Sequence, residues 1–326
     1  MGEPAGIGGE IALQAWLRRD ADHLSPFVLL DDPERLDSLA GRFGWHVPVR
    51  TITDIAEAAA CFGNALPVLP VPLAAPVQPG RPDPANAPAV LQAIERATAM
   101  ARTGQASAIV TNPIHKAALY KAGFRYPGHT EFIAALCGDM QPVMMLASER
   151  LRVVPVTIHV SLLKAIETLS TGLIINTARI VAADLHARFG IPQPRLAIAG
   201  LNPHAGEVGA MGDEDSRIVA PAVARLQQDG IDARGPMPPD TMFHAAARAE
   251  YDAAICMYHD QALIPIKTLD FDRAVNVTLG LPVIRTSPDH GTAFDIAGQG
   301  IARSDSLVAA LQMAAAMASH ERHAGT

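Results

Sequence analysis

The chain is poor in cysteine. It has three in 326 residues, Cys61, Cys137 and Cys256, far apart and with no Cys-x-x-Cys pair. That excludes a disulfide framework and a cysteine zinc cluster. No apolar run reaches the roughly 18 residues that a membrane-spanning helix needs. The start, Met1-Gly2-Glu3-Pro4, has no basic segment leading into an apolar one, so no secretory signal and a cytoplasmic location are expected. Excess positive charge is missing as well. Thirty-three Asp and Glu oppose 26 Lys and Arg, for a net charge of −7, which argues against nucleic acid as the main partner. The sequence has no internal repeat, no Walker phosphate loop and no His-Glu-x-x-His.

What is present reads as a globular protein. Hydrophobic residues make up 49% and charged residues 18%, ordinary values for a folded domain. At roughly 100–200 residues per domain the length suits about two domains, each able to bury a core. Short β-branched runs alternate with longer Ala/Leu-rich runs. The pattern predicts strands over 107–111, 152–159, 195–201 and 253–258, with Pro155 weakening the second. It predicts helices over 114–121, over 162–169 with Ser161 as N-cap, and over 174–189, stopped by Gly190 and Pro192. Further helices are expected over 216–229, stopped by Gly230, and over 306–319. This alternation indicates an α/β protein with largely parallel pairing. The segment 67–88 differs, with eight prolines in 22 residues. It is expected to be a surface connector, neither helix nor central strand, shaping the surface rather than the chemistry.

Among 12 histidines, three share a context. His159 ends the predicted strand 152–159, His204 follows the strand 195–201 by three residues, and His259 directly follows 253–258. A lone histidine near a strand end is more often a hydrogen-bonded loop residue. Three at the carboxyl edge of an α/β sheet converge on the crevice where such sheets bind ligands. Neutral imidazole is a common ligand for zinc and similar metals, and three protein ligands plus an open position describe a catalytic metal site.

Two loops are rich in small residues. Gly2-Glu3-Pro4-Ala5-Gly6-Ile7-Gly8-Gly9-Glu10 precedes an amphipathic helix, a setting that lets backbone approach a ligand and favours anions, though a plain tight turn fits as well. The second loop, 287–298, could seat an adenine ring against its small residues, with Asp295 accepting from an adenosine group; a bland polar loop is the alternative. Basic and hydroxyl groups are also grouped. His129-Thr130 opens a predicted helix after Gly128, and Lys267, Asn276 and Arg285 follow His259 at short intervals. Lys and Arg in such positions suit phosphate or carboxylate, although each alone fits a solvated surface.

Together these residues resemble the 4-hydroxythreonine-4-phosphate dehydrogenase family of vitamin B6 (pyridoxal phosphate) biosynthesis. The resemblance covers almost the whole chain. It is carried by Gly2–Gly8 (GEPAGIG), Thr111–Leu119 (TNPIHKAAL), Pro127–Phe132 (PGHTEF), Leu201–Glu207 (LNPHAGE), Pro238–Phe243 (PPDTMF), Tyr258–Lys267 (YHDQALIPIK) and the run from Asn276 to Gly298, all in the family's order. The family is similar, more distantly, to the isocitrate and isopropylmalate dehydrogenases.

The resemblance implies two α/β/α domains of that type with an active-site cleft between them. A cofactor-side domain would comprise 1–125 and 286–326, the C-terminal helix returning to it. A metal, substrate and dimerisation domain would span 126–285. It implies His159, His204 and His259 as ligands of one divalent metal (zinc, magnesium or cobalt) at the interface of a homodimer. His129, Thr130, Lys267, Asn276 and Arg285 match the family's substrate-binding positions, and Asp240 matches an acidic residue near the active site. Gly6, Gly8, His290, Gly291, Thr292 and Asp295 fall where the family holds NAD or NADP. The implied reaction is oxidation of 4-phosphooxy-threonine to a β-keto acid that loses CO2 to give 3-amino-2-oxopropyl phosphate. Asp240 and Lys267 are both candidates for the general base. Family members place a short apolar strand ahead of the glycine loop, so a strand before Gly2 is expected in the native chain. Two enzyme alternatives stand beside this reading: a sister dehydrogenase of a phosphorylated threonate or other hydroxy acid, and a metal-dependent hydrolase, since three-histidine sites also activate water. A non-catalytic small-molecule binder is a third.

Overall fold

The computed structural model describes residues 1–324. Eleven strands lie among them: β1 (Leu29–Asp31), β2 (Val49–Thr51), β3 (Leu66–Pro70), β4 (Ile109–Val110), β5 (Val143–Ala147), β6 (Arg152–Pro155), β7 (Arg195–Ala199), β8 (Asp232–Met237), β9 (Ala253–Cys256), β10 (Val275–Leu279) and β11 (Arg285–Pro288). The chain divides into two units. The first comprises Met1–Pro142 and Leu281–Ala315; the second comprises Val143–Gly280 and the chain from Ala316 on. Residues 126–142 and 281–285, expected with the second domain, therefore cluster with the first. The C-terminal helix Asp305–Ala324 is shared: its first half belongs to the first unit and the rest to the second. No described helix is long and apolar enough to cross a membrane.

In the first unit β1, β3 and β2 form a parallel sheet with β3 in the centre, and β4 pairs with β11 in parallel. The helix Gly8–Leu17 is buried along most of its length. Leu13 and Trp16 pack on Leu36, Leu66 and Val68, while Ile7 and Ile11 pack on Leu307 and Val308. Full burial of such side chains contributes about 1.5–3 kcal/mol each.

The central place of β3 corrects the expectation for 67–88, because Pro67 and Pro70 both lie in it. Parallel strands turn alternate residues toward alternate neighbours. The Leu66 N–H donates to Pro48 O, and Val68 O accepts from Ile52 N, so even positions face β2 and odd positions face β1. Pro67 meets β1 before its ladder opens at Leu29 with Val68, and Pro70 meets β2 after its ladder closes at Thr51 with Val68. Neither missing N–H removes a ladder bond, which is the usual objection to proline there.

In the second unit the strands run β10, β5, β6, β9, β7, β8. β6, β9, β7 and β8 are parallel, while β10, β5 and β6 pair antiparallel. Parallel pairing is thus the rule on one side only. Pro155 closes β6 by the same parity. Val156 N donates to Cys256 O on β9, so Pro155 turns toward β5, whose ladder with β6 ends at Val153. Leu146, Val153, Ala254 and Ile266 form the centre of the core. The helix Leu162–Thr168 is capped by Ser161 Oγ, and Thr171–Phe189 stops at Gly190, whose φ of 66° is left-handed. The predicted helix 216–229 opens instead as a π turn, Asp215–Val219, before Ala220–Gln228.

Candidate active site

All three singled-out histidines lie in the second unit, past the carboxyl ends of β6, β7 and β9. The strands are shorter than expected, ending at Pro155, Ala199 and Cys256, so each histidine stands on the connection that follows. His159 and His204 both adopt left-handed backbone, with φ of 54° and 52°. Non-glycine residues seldom take that conformation, and it concentrates at functional positions. His259 is the first residue of the helix His259–Asp270. Its ring lies 5.8 Å from that of His159, centroid to centroid. Its Nδ1 lies 2.7 Å from Asp260 Oδ1, a contact in which the imidazole donates and the carboxylate orients the ring. Two of the three imidazoles are thus brought together. His204 is not: among the described residues no group of three His, Cys, Asp or Glu side chains could hold a metal ion.

Buried polar side chains hold these strand ends. Thr157 Oγ1 donates to Met257 O at 2.8 Å, tying the chain two residues before His159 to the chain two residues before His259. The Gln261 side chain accepts from Met257 N at 2.6 Å and donates to Gly200 O at 2.7 Å, joining the ends of β9 and β7. Asp215, 1% exposed, accepts from Leu201 N and Asn202 N and so sets the loop that carries His204. Sequence reasoning missed all three braces. Gln261 lies inside the quoted stretch Tyr258–Lys267, but nothing local marks its partner 61 residues away.

Lys267 lies on the His259 helix. His259, Leu263 and Lys267, spaced four apart, share one face and line an open groove of about 400 Å³ with Asp260, Ile264 and Thr268. Asn276 lies on β10 opposite Leu146 and is half-buried. Asp240 is exposed on the short turn Pro239–Thr241, which packs against the segment Pro203–Gly209 that carries His204.

The remaining substrate-type residues lie in the first unit, with the Glu131 carboxylate among them: its Oε2 would lie 3.5 Å from a Cβ placed on Gly128. Arg285, 4% exposed on β11, donates from Nε and Nη2 to Thr111 Oγ1 at 3.2 and 2.7 Å. Burial lowers its pKa to about 10, so it stays charged at neutral pH. Thr130 follows His129 at the start of the helix His129–Leu136, after Gly128 in extended backbone. His129 is buried, and its Nε2 has no hydrogen-bond partner. Burial, then the charges of Arg285, the N-terminus and Lys116, hold its pKa well below the ordinary 6.5. Lys116 was not singled out. Its Nζ would lie 3.8 Å from a Cβ placed on Gly128, at the mouth of the same helix.

The shift at His129 predicts acid sensitivity. Below pH 6.5 the unfolded chain takes up a proton that the folded chain refuses, so stability present above that value is lost as pH falls through it. His129→Gln is expected to show a smaller drop in urea midpoint between about pH 7.5 and about pH 5. Equal drops in both proteins would refute the buried neutral imidazole.

The two loops expected to hold a dinucleotide touch each other. Ile7 N donates to Thr292 O at 3.1 Å, and a Cβ on Gly6 would stand 2.8 Å from that same oxygen. A Cβ on Gly8 would stand 3.2 Å from Asn112 Cβ. These glycines let protein segments approach one another closely. Gly291, by contrast, faces open space. His290 Nε2, His115 Nδ1 and Asn112 Oδ1 are buried without partners, leaving polar atoms to meet a bound group. Asp295 is exposed at the far end of the loop.

Comparison with known proteins places this arrangement. The family model described as "Pyridoxal phosphate biosynthetic protein PdxA" matches residues 22–314. The chain belongs to the PdxA family. Curated proteins named 4-hydroxythreonine-4-phosphate dehydrogenase are 57% identical to it in both Bradyrhizobium diazoefficiens and Methylorubrum populi. These alignments cover 98% of this chain in each case, and 95% and 93% of the relatives. The crystal structure of 4-hydroxythreonine-4-phosphate dehydrogenase from Klebsiella pneumoniae superposes with a TM-score of 0.88 at 40% identity, covering 98% of both chains. The PdxA match explains why seven short stretches, weak singly, recur here in one order.

Proposed function

We propose that this PdxA-family chain oxidises 4-phosphooxy-L-threonine with NAD or NADP, giving 2-amino-3-oxo-4-phosphooxybutanoate. That product loses CO2 to become 3-amino-2-oxopropyl phosphate, on the route to pyridoxal 5′-phosphate. One observation carries the assignment. A single helix face presents a carboxylate-oriented imidazole, His259, and two turns later an ammonium, Lys267, in one groove. That pairing suits a phosphorylated hydroxy acid held at a metal.

A divalent cation such as zinc, magnesium or cobalt would be held by His159 and His259, whose rings stand 5.8 Å apart, with His204 as the further expected ligand. When bound, the metal supplies Lewis-acid polarisation of the substrate hydroxyl, and NAD(P) takes up the hydride. The protein's own groups do the rest. His129, Thr130, Lys267, Asn276 and Arg285 bind and orient the substrate's anionic groups. Asp240 or Lys267 accepts the hydroxyl proton. Gly291, Thr292, His290 and Asp295, with the adjoining Gly6 and Gly8, form the dinucleotide side. The protein works in the cytoplasm as a homodimer. Beside His159 the surface is apolar, with Val160, Leu162, Leu163 and Ile166 exposed by 40–69%. Such a patch suits a second copy, which would complete the metal's ligand set.

The test is NAD(P) reduction with 4-phosphooxy-threonine and with a phosphorylated threonate, each with and without chelator. Reduction with the first substrate, abolished by chelator, is expected. Turnover confined to the threonate would make the protein a sister dehydrogenase. Hydrolysis without any nucleotide reduction would overturn the assignment.

A further inference from the structure

Lys116 stands beside His129 and Thr130 but has no part in the reaction as assigned. It opens the helix Lys116–Lys121, and its side chain is exposed. That short helix is fixed by packing. Leu119, 1% exposed, shares a core cluster with Phe124, Phe132 and Ile133, so it is tied to the helix His129–Leu136. The Phe124 ring meets Phe132 edge-on at 5.2 Å and stacks with Tyr120 at 6.4 Å, while Tyr126 lies 5.1 Å from Phe132. The base of Lys116 is therefore set by the core, and its stem runs along Gly128. A Cβ on that glycine would lie 3.6 Å from Lys116 Cε and 3.8 Å from Nζ.

The local charge is unusual for an acidic chain. From Arg96 to Thr130 there is no Asp or Glu, while Arg96, Arg102, Lys116, Lys121 and Arg125 are all cationic. Arg96 and Arg102 are engaged, each donating from Nη1 to a backbone carbonyl at 2.7 Å. Lys116 closes no ion pair among the described residues. Glu131 is the opposing charge. Its Oε2 would lie 3.5 Å from the same Cβ, and Arg285 feels its charge. Arg285 and Glu131 cancel, and burial above all keeps His129 neutral, so these groups alone have no net charge for an anion. A phosphate monoester carries about −1.5 to −2 at neutral pH. Lys116 makes the group net positive, beside an imidazole whose Nε2 is buried without a partner. An ammonium is a compact charge with three donors, suited to a tetrahedral phosphate.

We propose that Lys116 binds the phosphate of the substrate, next to His129 and Thr130. The inference rests on the reading of the chain as a 4-phosphooxy-threonine dehydrogenase and adds a substrate-binding residue to it. Glu131 is then a competitor for the ammonium, not the reason for its presence.

O-phospho-L-homoserine tests this by calorimetry without turnover. It carries the phosphate, ammonium and carboxylate of the substrate on a chain of the same length and lacks the hydroxyl that is oxidised. Lys116→Ala should weaken its binding about tenfold, the scale of one charge-assisted contact. Lys116→Arg should recover part of the loss. Raising the salt from about 0.05 M to about 0.5 M should narrow the gap between Lys116→Ala and the unaltered protein, because the ammonium is exposed. Glu131→Gln should bind the analogue as tightly as the unaltered protein or more so. In turnover Lys116→Ala should raise KM with kcat little changed, as for a contact made equally in ground and transition states. Equal affinities of Lys116→Ala and the unaltered protein would overturn the proposal. So would a Glu131→Gln loss as large as that of Lys116→Ala, which would make the lysine a structural partner of Glu131. Failure to oxidise 4-phosphooxy-threonine, with the analogue still bound through Lys116, would count against the enzyme assignment alone.

Discussion

His259→Ala is expected to purify without its divalent metal and to lose about three orders of magnitude in turnover. The reasoning starts from geometry. His259 opens its helix, its Nδ1–H is taken by Asp260 at 2.7 Å, and its ring stands 5.8 Å from His159. In the proposed site the variant removes one of the imidazoles that would hold the metal. Lewis-acid stabilisation contributes several kcal/mol to a barrier, and each 1.36 kcal/mol is tenfold, which gives a loss of about 10³. Elemental analysis of the purified protein and kcat at saturating substrate check both parts. Asp260→Asn should act more mildly, weakening metal affinity about 10–100-fold, as for partners that orient a ligand. A His259→Ala protein with full metal content and near-normal kcat would sink the metal assignment.

Arg285→Ala is expected to lower kcat/KM by about 10²-fold or more, mostly through KM, since truncating a buried charged contact costs about 2–5 kcal/mol. The guanidinium is 4% exposed and held by two bonds to Thr111, so its charge is aimed and cannot be replaced by a mobile side chain. Arg285→Lys should rescue little, because an ammonium cannot present two parallel N–H groups. The charge also sets a pH limit. With its pKa lowered to about 10 by burial, Arg285 keeps its positive charge through neutral pH and loses it as pH rises through that value. Ionisation of Arg285 should therefore leave substrate KM unchanged between about pH 7 and about pH 9. An Arg285→Lys protein with unchanged KM would show that the fork is not used.

Elements whose signals are local were legible in the chain. Ser161 and Gly190 bound their helices as expected, because a cap is satisfied within three or four residues. Strand ends were less legible. Val156 to Ile158 continues the β-branched run, yet β6 stops at Pro155, because a strand lasts only as long as its neighbour does. The prolines of β3 show the converse: a residue that seems to forbid a central strand is accommodated by the parity of the two ladders, which no composition rule contains.

By itself the sequence determined the class of fold, the family, and the residue types of the chemistry: imidazoles, a phosphate-type set of cations and hydroxyls, and two small-residue loops. Only the tertiary structure decided how they are held. Thr111 and Arg285 are 174 residues apart, Gln261 and Gly200 are 61 apart, and Gly6 owes its missing side chain to Thr292. It also turned the segment around Leu73–Pro79 from a connector into a wall of a recess beside the glycine loop. Caps, turns and periodicity act over one or two turns of chain. A brace or a recess depends on which distant backbones pack together, and that is set by burial of the core as a whole.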